Sequence, residues 1–154
     1  MPDPADCESA QEIVRRLAGV ISRELPMAAA RELLDENLCA YMDGKLIARG
    51  RAAWFRWVRF LHRHADKTMS GLALEIERME CAGDTVSVFA RWRGEVGGET
   101  KHSETGAVQY QIRGGKIIAV RTHKKNYVFI YGKNVATAPG FYWLLLRIWM
   151  QNPR

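Results

Sequence analysis

The chain has 154 residues, of which 47% are hydrophobic and 26% charged, and its formal net charge is +6. These values are typical of one globular domain that is long enough to bury a core. No run of about twenty apolar residues occurs, which excludes a membrane-spanning helix, and the acidic, proline-containing start lacks the features of a secretion signal. We therefore expect a cytoplasmic protein.

The charge and the cysteines exclude some functions. Lys and Arg are spread along the chain, so the charge favours solubility first and an anionic ligand second, and we expect no nucleic-acid partner. Cys7, Cys39 and Cys81 lie far apart and none belongs to a C-x-x-C pair, so neither a zinc site nor a redox dithiol is indicated. We expect three small reduced side chains, no metal and no cofactor.

Two helices are predicted in the first quarter of the chain. Residues 1–8 read as a disordered leader, and Ser9 caps a helix that begins near Ala10. Apolar residues then recur at three- and four-residue spacing, as on one face of a helix. Pro26 ends this helix or starts the next, which we expect at Met27–Asn37.

A short strand and a third helix follow. Leu38–Met42 is an apolar run that predicts a strand, Asp43-Gly44 is a turn signal, and Lys45–Gly50 continues as a loop or short strand. The third helix is predicted at Arg51–Ala65, with apolar residues on more than one side. Its main apolar stripe consists of Trp54, Trp57, Val58 and Leu61.

The second half of the chain reads as four consecutive strands. They are predicted at Leu74–Cys81, Thr85–Glu95, Lys101–Ile112 and Lys116–Tyr131, joined by tight turns that contain glycine. Such short connections indicate an antiparallel meander, because a parallel crossover needs more residues. The preceding helices must then cover one face. We therefore predict an α+β fold, in which helices pack against a curved, mostly antiparallel sheet.

Two further features concern partners. Both faces of the last predicted strand are partly apolar, so we expect a homodimer through the outer face of the sheet. Residues 139–154 form a segment that would be an apolar helix nearly all round, separate from the main domain at 9–138. This helix either packs over the domain or a partner subunit, or anchors the chain at a membrane surface.

Four passages of the chain resemble the nuclear-transport-factor-2-like superfamily, in its SnoaL-like and ketosteroid-isomerase-like branch. They are 33–44, 50–57, 81–88 and 114–120, which look like the family's first strand, third helix and two hairpins. The resemblance covers about residues 10–131 and implies a cone-shaped α+β barrel around an apolar pocket, often in a dimer. Members include isomerases, cyclases, dehydratases, epoxide hydrolases and non-catalytic binding modules, so the fold does not choose among them.

The resemblance implies one general base. Asp43 matches the place of the Asp that moves a proton in the isomerase branch, where apolar surroundings would raise its basicity; the alternative is a turn residue in water. No Tyr lies in the first helix and no Asp follows Asp84, which argues against the isomerase reaction. The last strand offers Thr122 and His123 where SnoaL-type cyclases use an Asp, which argues against that reaction too.

A second pair of candidates lies on the third predicted strand. His102 and Glu104 share the phase of the core-facing row, about 7 Å apart, and are predicted as catalytic groups; alternatively Glu99–Thr105 is a solvated hairpin end. His123, beside two lysines, is a candidate for anion contact or a solvated strand end. The predicted pocket walls, or alternatively plain core residues, are Tyr41, Trp54, Trp57, Trp92 and Tyr110.

These patterns lead to one functional hypothesis and one alternative. The protein is expected to bind a small apolar or aromatic molecule, with or without acid–base chemistry of the isomerase, cyclase or dehydratase type. The alternative is a non-catalytic ligand-binding or dimerisation module of the same fold. An enzyme of this kind needs an open cavity of at least roughly 300 Å³ with polar groups converging in it, whereas a structural module would have its aromatic rings packed on one another.

Overall fold

The computed structural model describes residues 4–138 and 140–145 of the chain. The helices are α1 (Pro4–Ile21), α2 (Ala30–Leu33), α3 (Arg51–Ala65), α4 (Val128–Tyr131) and α5 (Lys133–Ala136), with 3₁₀ turns at Met27–Ala29 and Lys124–Tyr127. The strands are β1 (Leu34–Met42), β2 (Lys45–Arg49), β3 (Ser70–Ala82), β4 (Thr85–Val96), β5 (Glu99–His102), β6 (Gly106–Arg113) and β7 (Lys116–Thr122). Residues 141–145 are also helical.

All seven strands belong to one mixed sheet. The order is β2-β1-β7-β6-β4-β3, and β5 pairs with β4 beside this path. The pairing of β1 with β7 is parallel, and the other pairings are antiparallel. The sheet is curved without closing into a barrel, and helices α1 and α3 pack against it. This confirms the predicted α+β cone with a mostly antiparallel sheet.

The core lies between α1, α3 and the inner face of the sheet. On β4 the inward row is Val86, Val88, Ala90 and Trp92, as the alternation of the sequence predicts. Helix α3 has the predicted bounds and buries most of its length. Burial of a large apolar side chain contributes about 1.5–3 kcal/mol, so this core supplies the main force that holds the sheet in its curved form.

The third predicted strand is interrupted, and this changes which side chains face inward. Arg93 of β4 pairs with His102 of β5, whereas Ala90 pairs with Gly106 of β6. Three residue steps on β4 therefore match four steps on the opposing chain, which defines a bulge at 103–105. One extra residue exchanges the two faces of a strand, so His102 lies on the outer face although it shares the phase of the inward row.

Two other predicted elements end earlier than expected. The last strand ends at Thr122, and the chain turns into helical segments up to Tyr131. The second helix ends at Leu33, because residues from Leu34 onward pair with β7. Both differences arise because tertiary packing overrides local preference in short segments.

The first helix begins earlier than predicted, and it carries a disulfide. Helix α1 includes Pro4 to Glu8, which we expected in the leader. Cys7 is bonded to Cys81 at the end of β3, with 5.9 Å between the Cα atoms. The expectation of three reduced cysteines is therefore wrong, and Cys39 is the free thiol. No sequence pattern indicates the bond, because its partners are 74 residues apart.

Candidate functional site

Two small cavities lie in the interior of the cone. The first, which we call the polar cavity, lies between α3, β4 and β6, has a volume of about 50 Å³, and has Ser103, Glu104 and Asn126 in its lining. The second, the apolar cavity, has a similar volume of about 50 Å³ and lies between β1, β2, α3 and the 141–145 segment. Their shared walls are Trp54, Trp57, Val120 and Tyr127.

Aromatic rings dominate the polar cavity. Trp57 and Tyr127 meet edge to face with 5.3 Å between ring centroids, and Trp92 lies 6.4 Å from Tyr127. Such pairs stabilise a packed arrangement beyond their buried area. The five aromatic residues of the lining are Trp54, Trp57, Trp92, Tyr110 and Tyr127. Four of these, all but Tyr127, are residues that the sequence predicts as pocket walls, and their role in binding a ligand stays a prediction.

A network of hydrogen bonds fixes one side of the polar cavity. Trp92 Nε1 donates to the carbonyl oxygen of Asn126 at 2.9 Å, and Asn126 Nδ2 donates to the carbonyl of Ala107 and to Thr122 Oγ1. A Cβ atom at Gly106 would lie 2.2 Å from Asn126 Oδ1, so only glycine allows this approach. The hydrogen bond from Asn126 to Ala107 joins the 3₁₀ turn at Lys124–Tyr127 to the start of β6.

The bulge is braced by Ser103. Its hydroxyl accepts a hydrogen bond from the Trp92 backbone N–H and donates to the Glu104 carbonyl, both at 2.8 Å. Its own N–H donates to the Trp92 carbonyl at 2.9 Å. These bonds satisfy backbone groups that the interrupted ladder would leave unpaired. Glu104 is therefore held at the mouth of the polar cavity by an ordered segment.

Some residues that line the polar cavity carry buried donors. Trp57 Nε1 is buried and has no hydrogen-bond partner in the described part of the chain. Burial raises the pKa of Tyr110, and burial raises the pKa of Tyr127 to about 12 although its hydroxyl donates toward Thr122 Oγ1. Both phenols are therefore neutral at ordinary pH. Trp57 Nε1 is thus an orphaned donor, and such a donor is costly in a protein interior.

Asp43 lies outside the lining of both cavities. It occupies the turn after β1 with a left-handed φ of 50°, a conformation that Asp tolerates better than most residues. Its carboxylate lies 3.0 Å from His123 Nδ1 and accepts hydrogen bonds from the Tyr142 hydroxyl at 2.9 Å and the Lys124 N–H at 3.4 Å.

The pKa of Asp43 changes in the direction opposite to the sequence-based expectation. Partial burial raises the pKa, but the hydrogen bonds of Tyr142, His123 and Lys124 together outweigh it and hold the pKa below its usual 3.8. A carboxylate with a lowered pKa is a weaker proton acceptor. The arrangement suits Asp43 better to a structural hydrogen-bond acceptor than to a general base.

Tyr142 packs between two lysines beside Asp43. Its ring lies 4.6 Å from Lys45 Nζ and 4.9 Å from Lys124 Nζ, within the range of cation–π contact. Three residues further on, Leu145 is buried and lines the apolar cavity. Neither residue is predicted from the sequence, because the 139–154 segment reads as apolar on nearly all sides and offers no single buried face.

The remaining predicted site residues are dispersed. His102 lies on the outer face, where its Nε2 is 3.3 Å from Glu75 Oε1. Tyr41 also lies on the outer face, with the Arg121 guanidinium 5.0 Å from its ring centroid. The alternation of β1 explains this position, because its neighbours Ala40 and Met42 line the apolar cavity instead. Of the three predicted catalytic residues, Glu104 lines the polar cavity, whereas Asp43 and His102 belong to neither of the two linings.

Two further properties concern function. Among the described residues, no group of three or more His, Cys, Asp or Glu side chains is arranged to hold a metal ion. The part of the chain that the structure describes also contains no helix with the length and hydropathy needed to cross a bilayer.

The fold and the interior cavities define a cone-shaped α+β protein of the nuclear-transport-factor-2-like superfamily. Residues 14–120 match the family model of the SnoaL-like domain. Because this match covers well over half of the chain, the protein belongs to the SnoaL-like family. No curated protein matches the chain.

Solved structures with the same fold come from several bacteria. A hypothetical protein with a ketosteroid-isomerase-like fold from Catenulispora acidiphila, in complex with trimethylamine, is 21% identical with a TM-score of 0.56, covering 71% of this chain and 82% of that one. IdmH from Streptomyces antibioticus, a proposed polyketide cyclase, is 16% identical with a TM-score of 0.60, covering 73% and 89%. An epoxide hydrolase of M. tuberculosis is 15% identical with a TM-score of 0.59, covering 75% and 82%. Identities this low show the fold alone.

Proposed function

We propose that this protein is a non-catalytic domain that binds a small organic molecule in its polar cavity. The observation that carries the proposal is the lining of this cavity, in which aromatic walls meet a few polar groups at one side. This combination is typical of ligand sites, where the apolar wall supplies affinity and the polar groups fix orientation. The trimethylamine complex of the Catenulispora protein supports a ligand of this size in the same fold.

The volume of the cavity limits the ligand. One water molecule needs about 10–15 Å³ by this kind of measure, so about 50 Å³ accommodates roughly three to five atoms of that size. A polycyclic substrate does not fit without movement of the rings. We therefore propose a compact ligand, or the compact end of a longer ligand whose remainder lies outside the mouth.

The experiment is a thermal-shift screen of compact organic molecules with up to about eight heavy atoms. A ligand of the folded state raises the melting temperature as its concentration increases. The two cavities provide a matched pair of variants: Ala90→Leu fills the polar cavity and Ala48→Leu fills the apolar cavity. We expect Ala90→Leu to abolish the shift and Ala48→Leu to preserve it.

Circular dichroism of both variants establishes that they fold, and Ala90→Val offers a milder substitution if the larger side chain overpacks the core. Binding that survives in both Ala90 variants would place the ligand elsewhere. A complete absence of hits in the wild type would count against the proposal as a whole.

A second candidate is an acid–base enzyme, and one observation favours it. Glu104 is the only carboxylate in the lining of either cavity within the described residues, and it lies in the same lining as the Trp57 and Tyr110 donors. In this proposal the Glu104 carboxylate takes a proton from the carbon next to a carbonyl group, and the two donors stabilise the resulting enolate oxygen. Asp43 and His102, the other two predicted catalytic residues, lie outside both linings and have no role in this step.

Deuterium exchange at the methyl groups of acetone in D₂O tests this candidate, because acetone has four heavy atoms. Glu104→Gln should abolish the exchange, and Asp43→Asn should leave it nearly unchanged, since Asp43 lies outside the cavity lining. If Asp43→Asn abolishes exchange while the melting temperature is preserved, Asp43 is the base instead. No exchange above buffer in the wild type would reject this candidate.

A homodimer through the outer face of the sheet stays a separate prediction. On that face, aromatic rings alternate with ion pairs: the Arg78 guanidinium lies 4.1 Å from the Phe89 ring centroid, and Arg91 Nε lies 3.2 Å from Glu75 Oε1. We expect light scattering to give twice the chain mass of 17.5 kDa. A monomer at micromolar concentration would contradict this part of the proposal.

A further inference from the structure

We infer that the ligand of the polar cavity is a methylated ammonium compound that also carries an anionic group. This inference rests on the proposed function, because it names the class of molecule that the cavity takes. It is carried by the aromatic lining, by the single carboxylate in that lining, and by the basic groove outside the mouth.

The first argument is the composition of the cavity. Five aromatic side chains belong to its lining, and Glu104 is the only charged side chain among the described residues that do. Aromatic rings attract cations through the negative potential above their faces, and this attraction is strongest where water is excluded. A methylated ammonium group combines a positive charge with an apolar surface, so it fits rings and a carboxylate together better than a neutral group does.

The second argument is the availability of the Glu104 charge. Glu104 forms no salt bridge with any side chain in the described part of the protein, whereas Glu75, Glu99 and Asp84 all have basic partners. Glu104 is exposed at the mouth, where the hydrogen bonds of Ser103 hold its backbone. Its carboxylate is thus available to an incoming cation.

The third argument is size. A trimethylammonium group has four heavy atoms, which matches the roughly three to five that about 50 Å³ accommodates. The neighbouring apolar cavity has almost the same volume and shares two of the tryptophans, but its lining contains no carboxylate. That cavity therefore lacks a partner for the charge, and the ammonium group belongs in the polar cavity.

The fourth argument explains the anionic group. Ser103, Glu104 and Asn126 also line a groove of about 540 Å³ on the outside, together with Lys125 and Lys133. These lysines and the net charge of +6 repel a simple cation as it approaches. A ligand with an anionic group can place that group in the groove while its ammonium group enters the cavity.

Three probes of closely similar shape test the inference by calorimetry. Glycine betaine carries both charges, choline carries the cation alone, and 3,3-dimethylbutanoate replaces the nitrogen of betaine by carbon and so keeps only the anion. We expect betaine to bind at least about tenfold more tightly than 3,3-dimethylbutanoate, with choline between them.

Two variants test which side chain binds each charged group of the ligand. Glu104→Gln should reduce betaine affinity at least about fivefold and leave 3,3-dimethylbutanoate unchanged. Lys125→Gln should weaken betaine and 3,3-dimethylbutanoate alike, and not choline. Glu99→Gln is the matched control, because it removes an exposed carboxylate of β5 that lies outside both linings.

The outcomes separate this inference from the proposed function. Equal affinities for betaine and 3,3-dimethylbutanoate would overturn the ammonium inference and leave small-molecule binding intact. Failure of all three probes, in a protein that gives hits in the thermal-shift screen, would also overturn this inference alone. Failure of all three probes together with a screen that gives no hits would reject both the ammonium inference and the proposed function.

Discussion

The polar and apolar cavities share most of one wall and differ in what closes them. Trp54, Trp57 and Tyr127 belong to both linings. The polar cavity is closed by the bulge at 103–105, which brings a carboxylate to its mouth, whereas the apolar cavity is closed by Leu145. The comparison teaches that the regular elements supply general apolar walls, and that the irregular segments at the ends decide which chemical group meets a ligand.

Removal of the shared wall is expected to have the largest effect. Trp57→Ala should lower the free energy of unfolding by about 3–5 kcal/mol, because a large ring is lost and the two cavities merge. Urea denaturation measures the change. Trp143→Ala is the control, since this side chain is 62% exposed and its loss should cost at most about 0.5 kcal/mol. Equal losses in the two variants would mean that Trp57 is not a structural wall.

Loss of the disulfide should have the next largest effect, and it should act on the polar cavity. The bond ties the start of α1 to β3, and Ile21 at the end of α1 lines the polar cavity only. Cys7→Ser should lower stability by roughly 2–4 kcal/mol, because the unfolded chain is no longer constrained. Denaturation with and without reductant measures this effect.

Cys39→Ser serves as the control for the disulfide, because Cys39 is the free thiol. Its stability should respond to reductant as the wild type does, whereas Cys7→Ser should not respond. A wild type whose unfolding is insensitive to reductant would contradict a stabilising disulfide.

A smaller effect is expected at Tyr142, which lies three residues before Leu145 of the apolar cavity. Tyr142→Phe removes the hydrogen bond to Asp43 and should lower stability by at most about 1 kcal/mol, because the site is exposed. It should also raise the pKa of Asp43, which an NMR titration measures. The folded-state pKa of Asp43 is lowered, so its stabilising contribution is present above about pH 3.8 and is lost as the pH falls through the lowered value. An unchanged Asp43 titration would show that this hydrogen bond does not matter in solution.

The smallest expected effect is a pH dependence of stability that arises from His62. Burial lowers the pKa of His62, although the hydrogen bond of its Nε2 to the Ile21 carbonyl at 2.7 Å acts in the opposite direction. The unfolded chain therefore binds a proton first, and stability should fall as the pH decreases below about 6.5. Denaturation at pH 7.5 and pH 5 should show a smaller fall in His62→Gln than in the wild type. An identical fall in His62→Gln and the wild type would reject the assignment.

The sequence predicts the walls of the cavities better than their closures. Trp54 and Trp57 lie on the predicted stripe of α3, and Trp92 lies on the alternating row of β4, so regular periodicity places them inside. Asn126 and Tyr127 belong to a 3₁₀ turn of four residues, which is too short to produce a periodic signal. The spacing of the buried residues Tyr127, Ile130 and Tyr131 is the one helical sign there.

Asp43 and His102 show two other limits of sequence reasoning. The position of Asp43 after β1 was predicted, but its environment depends on Tyr142, which is 99 residues away. The inward position of His102 was wrong because alternation continues only through an unbroken strand, and one extra residue cannot be seen in the pattern itself. In both cases the missing information is a long-range contact.

The bulge at 103–105 has a consequence for how such a protein could change its chemistry. Deletion of Thr105 would restore a continuous ladder, in which His102 keeps its partner Arg93 on the outer face and Glu104 falls opposite Arg91 in the same outer row. The entrance would then lose its carboxylate. A change in loop length alone could thus alter the reactivity of the chamber while every wall residue stays the same.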